Sequence, residues 1–447
     1  MSCSRYEKRL AKVRKASAFD DYFVEEEFPD DNMSIERLQA FQWEALKEII
    51  RTAYNKCGFY RKKMDDLGIS PDDIKGMSDL SKMPFVTKEE LRGHPWALLA
   101  CDKQDIAVVT VSTGTTGGDE IYIPSTWRDY WLHEMAPGYP VLFPINPGDI
   151  CINALPYEMS SAGLAFHKTF MDACLGTVVA AGKGGAYSTP KKTLKVMKDL
   201  KPSVLITTPS WAVSLAEADE ENAGGLSDIT LRKMWLTGEG CSFSFRNRVE
   251  KMWNTTANMY YGSLECGGVG IECDAHDGYH VLGAHSIVEI VDPDTGETLE
   301  PGEIGEIVVT CPLRFDTPLI RYRTKDIGYI DPSPCKCGVK LPRIFLRGRR
   351  VDQITVQGVS FSPYYLEEYL MRLPEVGNWY QFVVNKNGSD RLKIRAEVAK
   401  GQKPCPELAE KLSSRLEFGI GVPCDFILYE KLPRTGQKAV RVVSEGD

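Results

Sequence analysis

Nowhere in the 447 residues does an uninterrupted apolar run approach the roughly 18 residues that a membrane span requires, so no membrane partner is expected. The first residues lack the apolar stretch of a secretory signal. They open basic (Arg5, Lys8, Arg9, Lys12, Arg14, Lys15) and turn acidic (Asp20, Asp21, Glu25, Glu26, Glu27), as a solvated terminal segment does. Positive charge is not in excess: a net charge of −8 argues against nonspecific binding to nucleic acid or anionic lipid. A disulfide framework is missing too. The 13 cysteines are an odd number scattered over a long chain, which is the pattern of reduced thiols in a cytoplasm. There is no internal repeat, and a composition of 43% hydrophobic and 26% charged residues excludes a disordered or collagenous chain while leaving ample material for a large core.

What is present alternates. Leu38, Phe41, Leu46 and Ile49-Ile50 recur at near-helical spacing in the opening segment. After the turn at Gly93-His94-Pro95, a β-rich run over 106–111 enters a loop, Ser112-Thr113-Gly114-Thr115-Thr116-Gly117-Gly118. Strand-like segments at 149–155, 177–181, 204–207 and 234–236 then trade places with helix-like ones at 162–172, 190–200, 210–218 and 245–253, the signature of an α/β domain with a largely parallel sheet. From about residue 285 the texture changes to short strands and turns, read as antiparallel β structure. Past Leu346-Arg347-Gly348-Arg349, a small α+β unit is expected, with helices at 363–373 and 406–417 and strands at 353–356, 381–384, 392–398 and 425–429. The expected organisation is a charged segment over 1–35, a large multi-subdomain α/β domain over 36–347 and a small mobile α+β domain over 348–447, joined by an arginine-rich hinge.

The 112–118 loop follows a strand and combines glycines, which let backbone approach a ligand, with hydroxyl and N–H donors suited to an anion. Taken alone it is equally an ordinary turn, and it lacks the Gly-Lys-Ser/Thr ending of a P-loop NTPase. It is followed in order by Tyr260-Tyr261-Gly262-Ser263-Leu264-Glu265, Tyr322-Arg323-Thr324-Lys325-Asp326, Arg347-Gly348-Arg349 and Pro433-Arg434-Thr435-Gly436-Gln437-Lys438. These five segments resemble the core motifs of the adenylate-forming superfamily of acyl-CoA synthetases, peptide-synthetase adenylation domains and luciferases. Phe59-Tyr60-Arg61, the stretch from Leu80 to Lys88, Thr207-Thr208-Pro209-Ser210, Leu236-Thr237-Gly238-Glu239 and the Cys-x-Cys-Gly at 335–338 resemble more narrowly its phenylacetate-CoA ligase and coenzyme F390 synthetase branch.

The resemblance implies a reaction in which a carboxylate attacks the α-phosphorus of ATP and pyrophosphate departs, so charge on phosphate oxygens must be held. It implies that Ser112, Thr113, Gly114, Thr115, Thr116 and Gly117 grip pyrophosphate. Glu265 is the acid associated with Mg²⁺, a hard cation that prefers oxygen ligands. The resemblance also implies that Tyr261 and Gly238-Glu239 lie beside adenine, Asp326 on the ribose hydroxyls, and Tyr260, Gly262 and Arg349 at the nucleotide. Lys438 bridges the substrate carboxylate and α-phosphate. The acid pocket falls to Tyr157, Met159, Ala162, Gly163, Tyr261 and Gly262; a flat aromatic acid is expected, although Glu158 would suit a polar or amino-substituted one better. Three positions depart from the pattern: Asp119-Glu120 follow the loop where a lysine is usual, Lys325 stands where glycine does, and Val351 replaces the hinge acid.

Cys273 and His280, with Cys335 and Cys337, suit a closed tetrahedral zinc site, and suit equally four unrelated residues with His280 on the surface. The phenylacetate-CoA ligase branch resembles the same arrangement, so structural Zn²⁺ is expected there, with His276, Cys266 and Cys311 as substitutes. The function expected is an AMP-forming acid–thiol ligase using ATP, Mg²⁺ and coenzyme A, cytoplasmic, with a homodimer left open. Transfer to an amine or carrier protein, or adenylylation of a hydroxyl, stands as the alternative, and a non-enzymatic nucleotide-binding protein as a third reading.

Overall fold

The structure, a computed structural model, describes residues 31, 33–112, 119–133, 139, 141–172, 176–221, 226–385, 388–434 and 439–444. It opens on two helices, α1 (Ile35–Lys56) and α2 (Gly58–Leu67). Ser34 caps α1 by accepting the Arg37 N–H, and the helix buries the Leu38, Phe41, Leu46, Ile49 and Ile50 stripe legible in the sequence. Asp31, before this helix, is itself buried; its carboxylate accepts the amides of Val141 and Leu142 at 2.7 and 2.8 Å, so the ordered fold takes hold ahead of residue 36. A short helix α3 (Lys88–Leu91) follows, started by a reciprocal Thr87–Glu90 capping box. The hairpin β1 (Ile106–Val111) and β2 (Tyr122–Thr126) leads into α4 (Trp127–His133).

The α/β alternation then runs β3 (Ile150–Ala154), α5 (Ser161–Asp172), β4 (Thr177–Ala180), α6 (Pro190–Leu200), β5 (Val204–Thr207), α7 (Pro209–Glu221), β6 (Lys233–Thr237), α8 (Phe243–Trp253) and β7 (Ala257–Ser263). These strands pair in parallel in the order β4-β3-β5-β6-β7. Every residue of β5 and β6 is buried, as expected of strands covered by helices on both faces. The helices carry their own punctuation: Thr189 caps α6, Pro190 takes its first turn, and Lys201 ends it in the left-handed region.

The antiparallel half begins earlier than the expected change at 285 and belongs to the same sheet. β8 (Gly267–Glu272), β9 (Tyr279–Val281), β10 (Ile287–Val291), β11 (Gly305–Cys311), β12 (Leu319–Asp331) and β13 (Arg343–Arg349) extend it from β7 in the order β8-β9-β13-β12-β11-β10. Eleven strands thus form one sheet among the described residues. Strand β8 escaped the sequence because it opens Gly267-Gly268-Val269-Gly270, a composition with little intrinsic β preference. The glycines are required by proximity: a Cβ on Gly268 would lie 1.8 Å from the Tyr260 hydroxyl, and one on Gly262 2.3 Å from the Gly267 carbonyl.

After a single turn over Arg350–Asp352 comes the small α+β unit. It consists of the hairpin β14 (Ile354–Val356) and β15 (Val359–Phe361), α9 (Pro363–Leu370), β16 (Val376–Val384), β17 (Leu392–Val398), α10 (Pro406–Ile420), β18 (Cys424–Tyr429) and β19 (Val442–Ser444), with sheet order β18-β17-β16-β19. It docks on α8. Glu367 and Glu368 accept the Ser242 and Ser244 amides at 2.5 and 2.7 Å, placing two carboxylates at that helix's N-terminus. Arg248, one turn on, donates to the carbonyls of Met371, Leu373 and Val376. No described helix is long and apolar enough to cross a membrane.

Candidate active site

The parallel strands β5, β6 and β7 deliver their C-terminal ends to one edge, the position where open α/β sheets bind ligands. Tyr261 and Gly262 lie near the end of β7, and Gly238-Glu239 follow β6. From the antiparallel half, β12 and β13 bring Asp326 and Arg349 into direct register. Three residues expected at the nucleotide then form one connected group. The Tyr261 hydroxyl donates to Asp326 Oδ2 at 2.6 Å, and Arg349 Nε donates to Asp326 Oδ1 at 2.9 Å. Burial, and next the facing carboxylate, push the Tyr261 phenol well above its ordinary pKa, which keeps it a donor. Burial works against the Arg349 cation, but Asp326 outweighs it and raises the guanidinium.

Glu265 sits just beyond β7 and is 5% exposed. Arg314 donates to its main-chain oxygen at 2.9 Å, and the Lys88 ammonium faces its carboxylate at 3.6 Å. Lys88 ends the branch-specific stretch from Leu80, which by itself attaches no role to it. The missed signal was a lysine opening a short capped helix while the glycine-rich loop itself carries no basic residue.

Other expected positions take more specific places. The Glu239 carboxylate is bound up in protein contacts: it accepts from Lys183 Nζ at 2.9 Å, from Ser210 Oγ at 2.7 Å, and from the Ala439 amide at 3.4 Å. Burial pushes its pKa up, the Lys183 ammonium pulls it down, and the ammonium wins. Tyr260 turns into the core, edge-on to Phe166 with ring centroids 4.9 Å apart, which leaves its backbone rather than its ring to face a ligand. Ser112 closes the β1–β2 hairpin, its hydroxyl accepting the Ile121 amide. Thr113, Gly114, Thr115, Thr116, Gly117 and Lys438 lie outside the described residues.

Around the expected acid pocket, Tyr157 is half-buried and its hydroxyl meets His167 Nδ1 at 3.1 Å, a partner not foreseen. Gly163 is buried where a Cβ would stand 2.5 Å from the Pro156 carbonyl, and Ala162 is half-buried beside it. Met159 is neither core nor enclosed: it is 73% exposed, with a φ of 55°. Glu158 is exposed and accepts the Tyr157 amide.

A second centre lies where β8, β9 and the β12–β13 connection meet. Cys273 follows β8, His280 is in β9, and Cys335 and Cys337 are in the β12–β13 connection; their four ligand atoms lie within 4.8 Å of one another. The Cys273–Cys335 sulfur separation is 3.7 Å, close to the ~3.8 Å edge of a tetrahedron with Zn–S bonds of about 2.3 Å. His280 Nδ1 donates to the Leu341 carbonyl at 3.1 Å, leaving Nε2, 3.3 Å from Cys337 Sγ, as the ligand. The substitutes are engaged elsewhere: His276 meets Glu272, and Cys311 donates to the Cys266 carbonyl.

A sheet whose parallel half presents an aromatic and a Gly-Glu turn, and whose antiparallel half presents a paired Asp and Arg, all beneath a docked α+β unit, defines an adenylate-forming enzyme. Residues 44–315 match the AMP-binding enzyme family and residues 358–445 its AMP-binding enzyme C-terminal domain, and the chain belongs to that family. It is 31% identical over 371 residues to the phenylacetate-coenzyme A ligase of Thermus thermophilus, covering 81% of this chain and 82% of the relative. It is 30% identical over 430 residues to that of Escherichia coli, covering 93% and 96%. Among solved structures, 2-hydroxyisobutyryl-CoA ligase in its postadenylation state matches with a TM-score of 0.85 at 21% identity, covering 93% of this chain and 91% of that one. The same ligase in its thioesterification state gives 0.66 at 22% identity over the same shares.

Proposed function

We propose that the chain is an acid–thiol ligase: it joins a carboxylic acid, best an aromatic one, to the α-phosphate of ATP and passes the acyl group to coenzyme A, releasing AMP and pyrophosphate. The observation that carries this is the Tyr261–Asp326–Arg349 group at the ligand edge of the sheet, in a chain collinear with phenylacetate-CoA ligases over most of its length. Asp326 has two carboxylate oxygens to accept a vicinal diol, and Arg349 and Tyr261 fix its orientation before ligand arrives. Glu265 is the residue that would hold Mg²⁺, whose chemistry here is to neutralise phosphate charge. Its burial and its oxygen donor fit a hard cation. Lys438 is the residue that would lower the repulsion between two anions that must approach each other, the carboxylate and the α-phosphate. The Cys273–His280–Cys335–Cys337 cluster is a closed structural Zn²⁺ site, which ties β8 and β9 to the connection that delivers β13. Reliance on ATP and coenzyme A, with free thiols throughout the described residues, supports a cytoplasmic enzyme.

The test is acid-dependent exchange of labelled pyrophosphate into ATP across a panel of aryl and arylacetic acids, without coenzyme A, followed by thioester assay with it. Exchange with an acid that then becomes a CoA thioester supports the reading. Exchange with a product formed only on an amine or a carrier protein would move the chain to those acceptors, and no exchange with any acid would count against acid activation and leave adenylylation of a hydroxyl.

A further inference from the structure

We infer that Arg248 is a positioning residue for adenylation, which holds the small domain in the orientation described above; this rests on the two-step ligase reading. Helix α8 belongs to the large domain, and its arginines face different ways. Arg246 turns inward, one terminal nitrogen donating to both Glu272 oxygens at 2.8 and 2.7 Å. Arg248, two residues on and so on another side of the helix, crosses to the small domain. Its Nε donates to the Met371 carbonyl at 2.9 Å and one terminal nitrogen to the Leu373 carbonyl at 2.7 Å. The other terminal nitrogen donates to the carbonyls of Val376 at 2.7 Å and Gly377 at 3.2 Å. Met371 is the C-cap of α9, so the guanidinium lies at the helix end where carbonyls lack intrahelical partners and the dipole is negative. The exchange is reciprocal, because Glu367 and Glu368 of α9 accept the Ser242 and Ser244 amides at the start of α8.

A planar fork on main-chain carbonyls fixes one orientation, whereas an ion pair between two flexible side chains can follow a moving partner. The orientation fixed here brings the end of the chain to the ligand edge of the large sheet: the Ala439 amide donates to Glu239, just after β6, at 3.4 Å. The Trp379 indole adds a contact to Glu217 of α7 at 2.9 Å. The hinge itself supplies little restraint. Val351 is 63% exposed where the family pattern has an acid, and the adjacent Arg350–Asp294 pair is exposed on both sides, where ion pairs are weak. Restraint missing from the hinge is thus present at α8. Adenylation has to bring two anions together and needs Lys438, which precedes Ala439 in the chain. Thioester formation from a preformed acyl-adenylate joins no two anions and does not need this orientation. Arg248 acts through the domain it holds and transfers no proton.

The experiment compares the full chain with Arg248→Met, which keeps an apolar stem and removes the fork, and with Arg248→Lys, which keeps the charge. Amide hydrogen exchange reads the docking: in Arg248→Met the Ser242 and Ser244 amides should lose protection by roughly tenfold or more, while amides inside β5, β6, β16 and β17 stay within about twofold of wild type. Acid-dependent exchange of pyrophosphate into ATP should fall by roughly ten- to a hundredfold, the loss expected when charge-assisted hydrogen bonds are removed. Thioester formation by the same variant from synthetic acyl-adenylate and coenzyme A should be unchanged or faster. Arg248→Lys should recover part of both losses, and it carries the same comparison with smaller shifts of the same sign should methionine compromise folding. Retained protection at Ser242 and Ser244, or an equal loss in the two half-reactions, would overturn the assignment. The hydrogen-exchange arm needs no substrate. A wild type whose docking depends on Arg248 but which activates no acid sinks only the ligase reading, whereas a working ligase whose half-reactions are indifferent to Arg248 sinks only this inference.

Discussion

Asp326 and Arg349 face each other in register across β12 and β13, 2.9 Å apart, with Tyr261 closing the carboxylate from the other side at 2.6 Å. The carboxylate is thereby fixed by two strands and a third element before any nucleotide arrives. Asp326→Asn keeps the shape but removes the charge that orders Arg349. Charge-assisted hydrogen bonds are worth about 1.5–3 kcal/mol, so affinity should fall roughly ten- to a hundredfold. Because the ribose is common to both, ATP and AMP should lose equally in titrations. A loss confined to ATP would show that Asp326 acts on the phosphates instead.

Metal analysis of protein purified without chelator should find about one Zn²⁺ per chain, and Cys335→Ser should lower both the metal content and the stability. With a structural ion lost, Tm should drop by at least about 5 °C. Folded, active wild-type protein without bound metal would contradict the closed tetrahedral site drawn from the 3.7 Å sulfur pair and the His280–Leu341 contact.

Lys325 occupies a left-handed backbone position, φ 64°, where the family pattern has glycine, and its ammonium reaches Glu89 beside Lys88. Lys325→Gly relieves about 1 kcal/mol of backbone strain and gives up a surface ion pair worth about 0–1 kcal/mol. Thermal unfolding should therefore be unchanged or up by a few degrees. A clear fall in Tm would mean that the Glu89 ion pair outweighs the backbone strain.

Glu367 is buried at the interface between α8 and the small domain, and burial raises its pKa above the ordinary carboxylate value, against the pull of Arg441. A group raised on folding contributes stability that is fully present below its unfolded pKa and is lost as the pH climbs through the folded one. The stability of wild type relative to Glu367→Gln should therefore decline as the pH rises from about 4 towards 8. Equilibrium unfolding of both proteins across that range checks the sign. A difference that grows with pH would show that the Ser242 amide and Arg441 favour the charged form more than burial opposes it.

Much of the parallel half was legible in the sequence for physical reasons. The segments at 190–200 and 204–207 carry a Thr-Pro start and a β-branched, fully buried Val-Leu-Ile-Thr run, and they fold as read. Strand β8 was hidden because glycines demanded by close packing erase the β signal. The site residues were a different matter. No periodicity places Tyr261, Asp326 and Arg349 together; ordered motifs did, and only the register of β12 and β13 explains why they meet. Residue type alone offered His276, Cys266 and Cys311 beside Cys273, His280, Cys335 and Cys337; the fold brings the last four within 4.8 Å, and His280's carbonyl partner belongs to a loop distant in sequence. Lys88 and His167 went unassigned for the same reason: each acquires meaning from a partner that folding alone supplies. Met159, set in a motif-like stretch, proved to be exposed because its left-handed backbone turns it outward.

If the acid is joined to AMP before it meets the thiol, oxygen tracing will show it directly. With an acid accepted in the exchange screen, labelled with ¹⁸O in its carboxyl group, the enzyme should be run with ATP and coenzyme A and the AMP analysed by mass spectrometry. A carboxylate oxygen that attacks the α-phosphorus stays on it when the thiol takes the acyl group. Each thioester formed should therefore be matched by one AMP carrying one labelled oxygen. Unlabelled AMP, with the label instead in inorganic phosphate or pyrophosphate, would place the attack on a different phosphorus and contradict the account.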